Sequence, residues 1–433
     1  MHKFIILAIT LSIALSSIAQ DKKVIRTKIG NVSEPVTAEV KLTLSERFQH
    51  VSSYTKSEHD HFDKSVYSPK SVQILEKKDK FYVNSLEGFS TGVYKLSEMK
   101  QSKVIHHHFN AQNANLFLDT FAFDYQFTTK KSSYNIFKGK PVEGCFTHNG
   151  KYLWVTYYRR SFDRNAIDPS AVAIIDTDKD EIVRVMPTGV LPKMIAASPD
   201  NKYVAVTHWG DNTIGLINID SENPADFKYV KHLIVNKRIF PDYSSDKKVD
   251  RDHGCGYCLR GTVFTPDSKF LLVARMGGGG IAVFDVEQKK YIKTVFGMHR
   301  NLRHLVISNN FIYTGTNVAG FIDKVNLDEF IEFVLHGEGS TLDTWESVYI
   351  GVGVRTVVTS TDGKYIFGAV NNMSKVVVVR TRDMKKIAEI DADSFPVGMD
   401  INDSGDKLIV TSQGKSKYGG GNSVMVFDVE YLK

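Results

Sequence analysis

The sequence predicts an all-β protein, a seven-bladed β-propeller with four-stranded blades. Three observations carry this expectation: a turn signature that recurs along the chain, a short β-branched run after each copy, and an almost complete lack of helical periodicity. The composition is compatible with it. Of 433 residues, 42% are hydrophobic and 24% charged, close to the average of folded soluble proteins. Intrinsic disorder, a collagen and a disulfide-built miniprotein are thereby excluded. Length alone would allow two or three domains, but propellers run longer as single units.

The first residues stand apart from the fold. His2 and Lys3 precede an apolar run over 4–14, and Ser17-Ile18-Ala19 offers a small-x-small cleavage site. That is the pattern of a secretory signal peptide, residues 1–19, too short for a convincing membrane span. Cleavage after Ala19 removes Lys3 and takes the net charge from +6 to +5. No cysteine follows the site, so no lipid anchor is expected, and no later run is long and apolar enough to be a transmembrane segment. The expected product is exported to the periplasm or cell surface, a monomer formed by residues 20–433 as one propeller domain. Its mild charge gives no reason to expect nucleic acid as a partner.

The turn signature reads Ser198-Pro199-Asp200-Asn201-Lys202, Thr265-Pro266-Asp267-Ser268-Lys269 and Ser360-Thr361-Asp362-Gly363-Lys364, with looser copies at 148–151 and 402–407. Strand-like runs follow at 152–158, 203–209, 270–276, 365–371 and 408–413, and two less regular copies at 82–85 and 311–317 bring the total to seven. A second run follows each, a third often appears, and an apolar stretch precedes each turn. Four short strands per unit make a blade. The Gly277–Gly280 run reads as a strand-to-strand turn, since neither a helix nor a Lys-Ser/Thr pair follows it. The seventh copy ends after its third strand. Residues 37–44, which alternate apolar side chains, are expected to supply the missing outer strand of the last blade and close the ring, leaving no open edge.

Tyr82-Val83-Asn84, the 198–202 turn and the run Ala171-Val172-Ala173-Ile174-Ile175-Asp176-Thr177 carry a resemblance to the YVTN-type seven-bladed propellers of exported bacterial and archaeal proteins. It spans residues about 68 to 431. The resemblance implies the same exported propeller architecture but does not fix a function. Insertions at 110–140 and 236–258 depart from the pattern. The first, with Phe117, Phe121, Phe123, Tyr125 and Phe127, alternates like a strand covering a blade edge.

In a propeller the connection into each innermost strand shares a face with the loop between the second and third strands. Aligning the residue just before each innermost strand gives the column Lys70, Glu143, Lys193, Arg260, Arg303, Arg355 and Val397. Five of the seven are cationic, so they are expected to form a basic channel mouth that focuses its field on an anion. Loops of the same face add Tyr157, Tyr158, Arg159, Arg160, Arg164, His208, Trp209 and Arg275, with His304 beside the column. Guanidinium groups hold carboxylate, sulfate or phosphate in a bidentate manner.

His253-Gly254-Cys255-Gly256-Tyr257-Cys258 is the most distinctive local motif. A c-type haem would need His after the second cysteine, where Leu259 stands. In an exported protein a Cys255–Cys258 disulfide is the simplest account; a metal held by His253, Cys255 and Cys258, or redox chemistry, are the alternatives. Cys145 is then a free, buried thiol. His106-His107-His108 lies on an expected outer strand, where alternation keeps adjacent rings from converging on one metal, while His59, His61 and Asp63 form a looser candidate. No cofactor is otherwise expected.

Three function classes follow. A binding protein would hold an anionic small molecule, an acidic glycan or a protein segment at the mouth. An enzyme of lactonase or lyase type would use Glu143 and His304 as base or acid beside Arg260 and Arg303. A structural or adhesion module would use the rim.

Overall fold

The computed structural model describes residues 27–432 except 36, 53–54, 56, 120, 123–124, 127–134, 164–165, 240–249 and 415–420. The proposed signal peptide and Arg164 lie outside the described residues. No helix among those described is long and apolar enough to cross a membrane.

Seven blade sheets of antiparallel strands follow one another along the chain, the seventh with Asp60–Phe62 added in parallel at its edge. Their innermost strands are Pro69–Leu75, Phe137–Thr147, Pro192–Ala197, Leu259–Phe264, Leu302–Ser308, Val354–Thr359 and Pro396–Ile401. Each packs against the next, and the seventh returns to the first, so the sheets form a ring. Side chains between neighbouring blades are apolar and fully buried, as with Leu408, Val410, Met425 and Phe427 against Phe367, Val376 and Val378.

The recurrent turn is explained by its hydrogen bonds. Ser198 Oγ donates to Asp200 at 2.6 Å and accepts from Tyr203 N at 2.9 Å, while Asp200 accepts from Lys202 N at 3.2 Å. Thr265 with Asp267 and Ser360 with Asp362 repeat the arrangement at 2.6 and 2.7 Å. A hydroxyl and a carboxylate two residues apart thus satisfy the turn's own amides. The fourth position takes a left-handed backbone, filled by Asn201, Ser268 and Gly363, residue types that tolerate it better than branched ones. The turns also bridge blades: Asp200 N donates to Ser268 Oγ at 3.0 Å, and Thr361 Oγ1 to Asp403 O at 3.0 Å.

Ring closure comes from both ends of the chain. Val40–Gln49 pairs antiparallel with Ser423–Tyr431, placing Leu42 opposite Val429 and Leu44 opposite Phe427. The strand starts later than the expected 37–44, because Thr37 N is bonded to Ile387 O of blade 6. Buried Arg47 pins the seam. Its guanidinium meets Asp60 at 3.0 and 2.5 Å, Asp393 at 3.2 Å and Thr27 O at 2.6 Å.

Two elements depart from a plain repeat. The 110–140 insertion does cover a blade: Phe109, Phe117 and Phe137 bury against Tyr157 of blade 2, and His108–Phe109 extends that sheet by pairing with Phe137 and Lys138. The side chains of Phe121, Phe123, Tyr125 and Phe127 lie outside the described residues. Blade 5 carries an α-helix, Leu327–His336, between its third and fourth strands, although the sequence shows almost no helical periodicity. Asn326 caps it by accepting from Glu329 N, and Leu327, Phe330 and Val334 bury at i, i+3, i+7 spacing. At ten residues the helix is too short to show clearly as periodicity.

Replacing Arg47 by Ala strands two buried carboxylates at the seam. The expected loss is about 3–5 kcal/mol, read as a lowered midpoint in urea unfolding; an unchanged midpoint shows that closure does not depend on this cluster.

Candidate functional site

The column converges, by a device the alignment did not reveal. Lys70, Lys193, Arg260, Arg303, Arg355 and Val397 are each the second residue of an innermost strand, not the residue before it. In every blade the strand register skips this position. Pro69 pairs with Ser85 and Ser71 with Asn84, omitting Lys70, and the same omission occurs at Lys193, Arg303, Arg355 and Val397. The wider skips Pro141/Gly144 and Leu259/Thr262 contain Glu143 and Arg260. A β-bulge re-aims a side chain out of the ladder alternation. Repeated seven times, it brings the charges of six blades under one another's influence. The backbones beside the column approach closely: a Cβ on Gly261 would lie 2.8 Å from Leu305 N, and one on Gly398 would lie 2.3 Å from Lys70 O.

Part of this charge is internally matched. Arg260 donates to Glu143 Oε1 at 2.7 Å and to Lys193 O at 2.5 Å, so the ion pair spans blades 2 and 4 across blade 3. Asp252, which the sequence reading missed, is the second matched point. It accepts from Lys193 Nζ at 2.6 Å, from Arg159 at 3.3 Å and from the Tyr158 hydroxyl, while its carbonyl accepts from Trp209 Nε1 at 3.2 Å. The Lys193 ammonium lies 3.8 Å from the Trp209 ring centroid and 4.9 Å from that of Tyr158, an electrostatically favourable cage. Burial raises the Asp252 carboxyl, but Lys193, Tyr158 and Arg159 outweigh it and hold the group below the usual range. Burial lowers Lys193 to about 7 against the pull of Asp252, with Arg260 and Arg303 adding repulsion.

Lys70, Arg303 and Arg355 form the other half and make no ion pair with a carboxylate among the described residues. Burial lowers all three, and repulsion from neighbouring guanidinium groups lowers them further: Arg355, Arg260 and Arg303 act on Lys70, Arg355 and Arg260 on Arg303, and Arg260 on Arg355. Glu143 pulls all three, and Asp252 pulls Arg303, partway back without pairing with them. A guanidinium nevertheless stays protonated in proteins, so the arginines remain cations at neutral pH. Arg303 is only 9% exposed, and the Nε atoms of Arg303 and Arg355 are buried without a hydrogen-bond partner. Lys70 and Arg355 keep some open surface. Burial lowers His304 to about 3, with Arg260 and Arg303 adding to it, so the ring is neutral at ordinary pH.

Several expected site residues lie elsewhere. Arg160 is the strand neighbour of Arg159 and so faces the other way, buried over Phe162 with its guanidinium carbon 4.6 Å from the ring centroid. His208 is fully buried inside blade 3, where Nε2 accepts from Gly189 N at 3.0 Å and Nδ1 meets Thr213 Oγ1 at 2.8 Å. Tyr157 packs in the core of blade 2 with its hydroxyl 2.8 Å from His107 Nδ1. Arg275 stacks on Tyr257 at 3.8 Å and donates to Thr294. Val397 contributes no charge, and its carbonyl accepts from Thr356 Oγ1.

Cys255 and Cys258 are joined in a disulfide, which leaves neither sulfur as a thiolate for a metal. The exposed His253 ring meets Asp250 at 3.1 Å. Cys145 is free and only partly buried, not fully buried as expected, and burial still pushes its thiol up. His107 is buried between Thr91 and Tyr157 and lowered to about 3 by that burial, whereas His106 and His108 are exposed. His59 and His61 each meet one oxygen of Glu46 at 2.7 Å, while Asp63 turns away to Ser65, Tyr94 and Gln101. Among the described residues no group of three or more such side chains is placed to hold a metal ion. A cleft of about 630 Å³ opens beside blades 7 and 1, lined by Phe48, His61, Tyr67, Gln101 and His106, and it includes none of the column.

The sequence matches no family model, and no curated protein matches it. Solved structures do resemble it in fold. Hydrazine synthase of Kuenenia stuttgartiensis aligns with a TM-score of 0.57 at 12% identity, over 86% of this chain and 98% of that one. The β-propeller domain of Cps50 (Swd1) from Myceliophteria thermophila aligns at 0.58 and 11%, over 84% and 97%. A chain of a mitotic checkpoint complex aligns at 0.55 and 11%, over 86% and 92%. At such identities the likeness establishes the propeller fold alone.

A pH prediction follows from His304. Its ring binds a proton near 3 when folded and near 6.5 when unfolded, so the unfolded chain takes up more protons between those values. Stability from this group therefore falls as pH drops from about 6.5 toward 3. In urea unfolding at pH 7, 5 and 4, His304→Gln should lose less stability on acidification than the wild type. Parallel losses would refute the assignment.

Proposed function

We propose that this protein is an exported propeller of YVTN type that binds an anionic ligand at the mouth of its channel. The observation that carries the reading is the trio Lys70, Arg303 and Arg355, gathered from blades 1, 5 and 6 with no ion pair to a carboxylate among the described residues. Glu143 and Asp252 act on them only at longer range while paired to Arg260 and Lys193. Unpaired buried cations are costly to a fold, and an anion relieves that cost. Two guanidinium forks and an ammonium suit a ligand with more than one negative charge, such as a di- or tricarboxylate, a phosphate, an acidic glycan or an acidic protein segment. Export is supported by the residue pattern at 1–19 and by the Cys255–Cys258 disulfide, which suits an oxidising compartment.

Two features weigh for binding over turnover. Glu143, the candidate base, is engaged by Arg260 at 2.7 Å, and His304 is a neutral ring flanked by cations. The carboxylate is occupied by its ion pair, and the neutral ring is not poised to take up a proton near neutral pH.

Thermal melts of the purified protein with citrate, phosphate and oligogalacturonate test the reading. At least one anion should raise the melting temperature with concentration, by the equivalent of about 2.7 kcal/mol at a hundredfold excess over its Kd. Arg303→Met should melt higher than the wild type without ligand, since a repulsive charge is gone, and should lose the ligand-induced rise. The rise should also shrink between pH 6 and 8 as Lys193, near 7, gives up its proton. No stabilisation by any anion, or a full response in Arg303→Met, overturns the proposal.

A further inference from the structure

The rim of the channel is not chemically uniform. On blades 5 and 6, Val318, Tyr349, Val352 and Met373 are 41–64% exposed. All four belong to the face that carries the mouth. Val318 and Met373 sit in loops between second and third strands, and Tyr349 and Val352 lie where blade 5 passes into blade 6. Backbone contacts show the loops to be contiguous: Ile350 N and Gly351 N both bond to Gly320 O, at 2.9 and 3.2 Å, and a Cβ on Gly351 would collide with Met373 Sδ. The Tyr349 ring meets Phe321 at 5.4 Å, and Phe321 stacks on His299 at 3.8 Å, which extends the apolar strip along blade 5.

The strip is fastened to the strands that carry the unpaired arginines. Asn301, two residues before Arg303, accepts from Val318 N at 3.2 Å, and Asn317 Nδ2 donates to Val354 O, the carbonyl just before Arg355, at 3.1 Å. Exposed apolar surface next to partly buried cations that lack an ion-pair partner among the described residues makes an amphipathic surface with defined polarity. Contiguous exposed apolar groups of this kind mark interaction sites, and the neighbouring charge selects the sign of the partner.

We propose that mouth and strip together bind an acidic protein segment that carries a large apolar side chain close to its carboxylates. The carboxylates enter beside Arg303, Arg355 and Lys70, and the apolar side chain lies across Val318, Val352 and Met373. This rests on the reading of the channel as an anion site and narrows its ligand to a peptide. A small carboxylate leaves the strip uncovered, and a hydroxyl-rich acidic glycan offers it little apolar surface.

The test uses the purified protein on an array of octapeptides, each with two Asp or Glu residues, in matched pairs that differ by one Leu or Phe against Ser. Citrate-induced thermal stabilisation is measured in parallel. Apolar members of the pairs should bind about tenfold or more tightly, the effect of burying one such side chain. Val352→Ser/Met373→Ser, which changes only exposed side chains, should erase that preference and leave the citrate response intact. Equal binding within pairs, or an unaltered preference in the double variant, overturns the peptide proposal while the anion site stands. Loss of both peptide and citrate responses in the wild-type protein overturns the anion site as well. If sedimentation shows a dimer that the double variant dissolves, the strip is a self-association surface and the peptide proposal falls.

Discussion

The channel exists only because the ring is shut, and it is shut by the pairing of Val40–Gln49 with Ser423–Tyr431. Everything at the mouth depends on that pairing. Lys70 and Arg355 sit on blades 1 and 6, on either side of the seam blade, and approach each other only when blade 7 is complete. The seam is made of two chain ends distant in sequence, so its entropy of closure is high, and its holding contacts are correspondingly concentrated. A continuous apolar layer runs through Leu42, Leu44 and Phe427, and Arg47 ties Asp60, Asp393 and Thr27 into one buried polar cluster. It is consistent with this that the seam blade places Val397, not a charge, in the column. A cation there would add repulsion between Lys70 and Arg355 at the joint that has fewest covalent restraints.

Within the closed ring, one local irregularity makes the site. Strand alternation would send consecutive residues to opposite faces of a blade, into the contacts between neighbouring sheets. A bulge at the second residue of six innermost strands, and further along the longer strand of blade 2 at Glu143, breaks that alternation in all seven blades. A long cationic side chain can thereby leave the blade stack without disturbing the apolar residues that follow it, such as Val72, Ile195, Leu305 and Val357. The scaffold therefore tolerates many side chains in the column.

This separation explains what was legible in the sequence. The turn hydrogen bonds of Ser198, Thr265 and Ser360 demand specific residue types at fixed offsets, so blade number and strand order could be read directly, and with them the column, because repeats share one geometry. What could not be read lay outside the repeat or turned on which way a side chain faces. Asp252 belongs to the 236–258 insertion, and nothing in its local sequence shows that the loop folds back over Lys193. Arg160 and His208 stand beside Arg159 and Trp209, which meet Asp252, but strand alternation turns them to the opposite face of the blade. The helix Leu327–His336 is capped by Asn326 and hidden by its shortness. His208, expected at the mouth, is instead bonded to Thr213 inside its blade, a buried polar pair that a reading for exposed chemistry mistakes for a site.

The distribution of charge around the column is asymmetric, and the fold does not require it to be. Blades 2 to 4 contain Glu143 and Asp252, which offset Arg260, Lys193 and Arg159, whereas blades 5, 6 and 1 present Arg303, Arg355 and Lys70 with no carboxylate of their own among the described residues. Stability alone would favour the reverse, since one additional carboxylate on the unmatched side would lessen repulsion in a partly desolvated channel. Val397 shows that a neutral residue fits the same bulge, so the geometry does not force a cation at these positions. The unmatched half also adjoins the exposed strip of blades 5 and 6. Two features that each disfavour the isolated protein, cations without an ion-pair partner and uncovered apolar surface, thus coincide on one side of a ring whose other side lacks the first of them. That coincidence has a physical rationale if a ligand of opposite charge and partly apolar surface completes both.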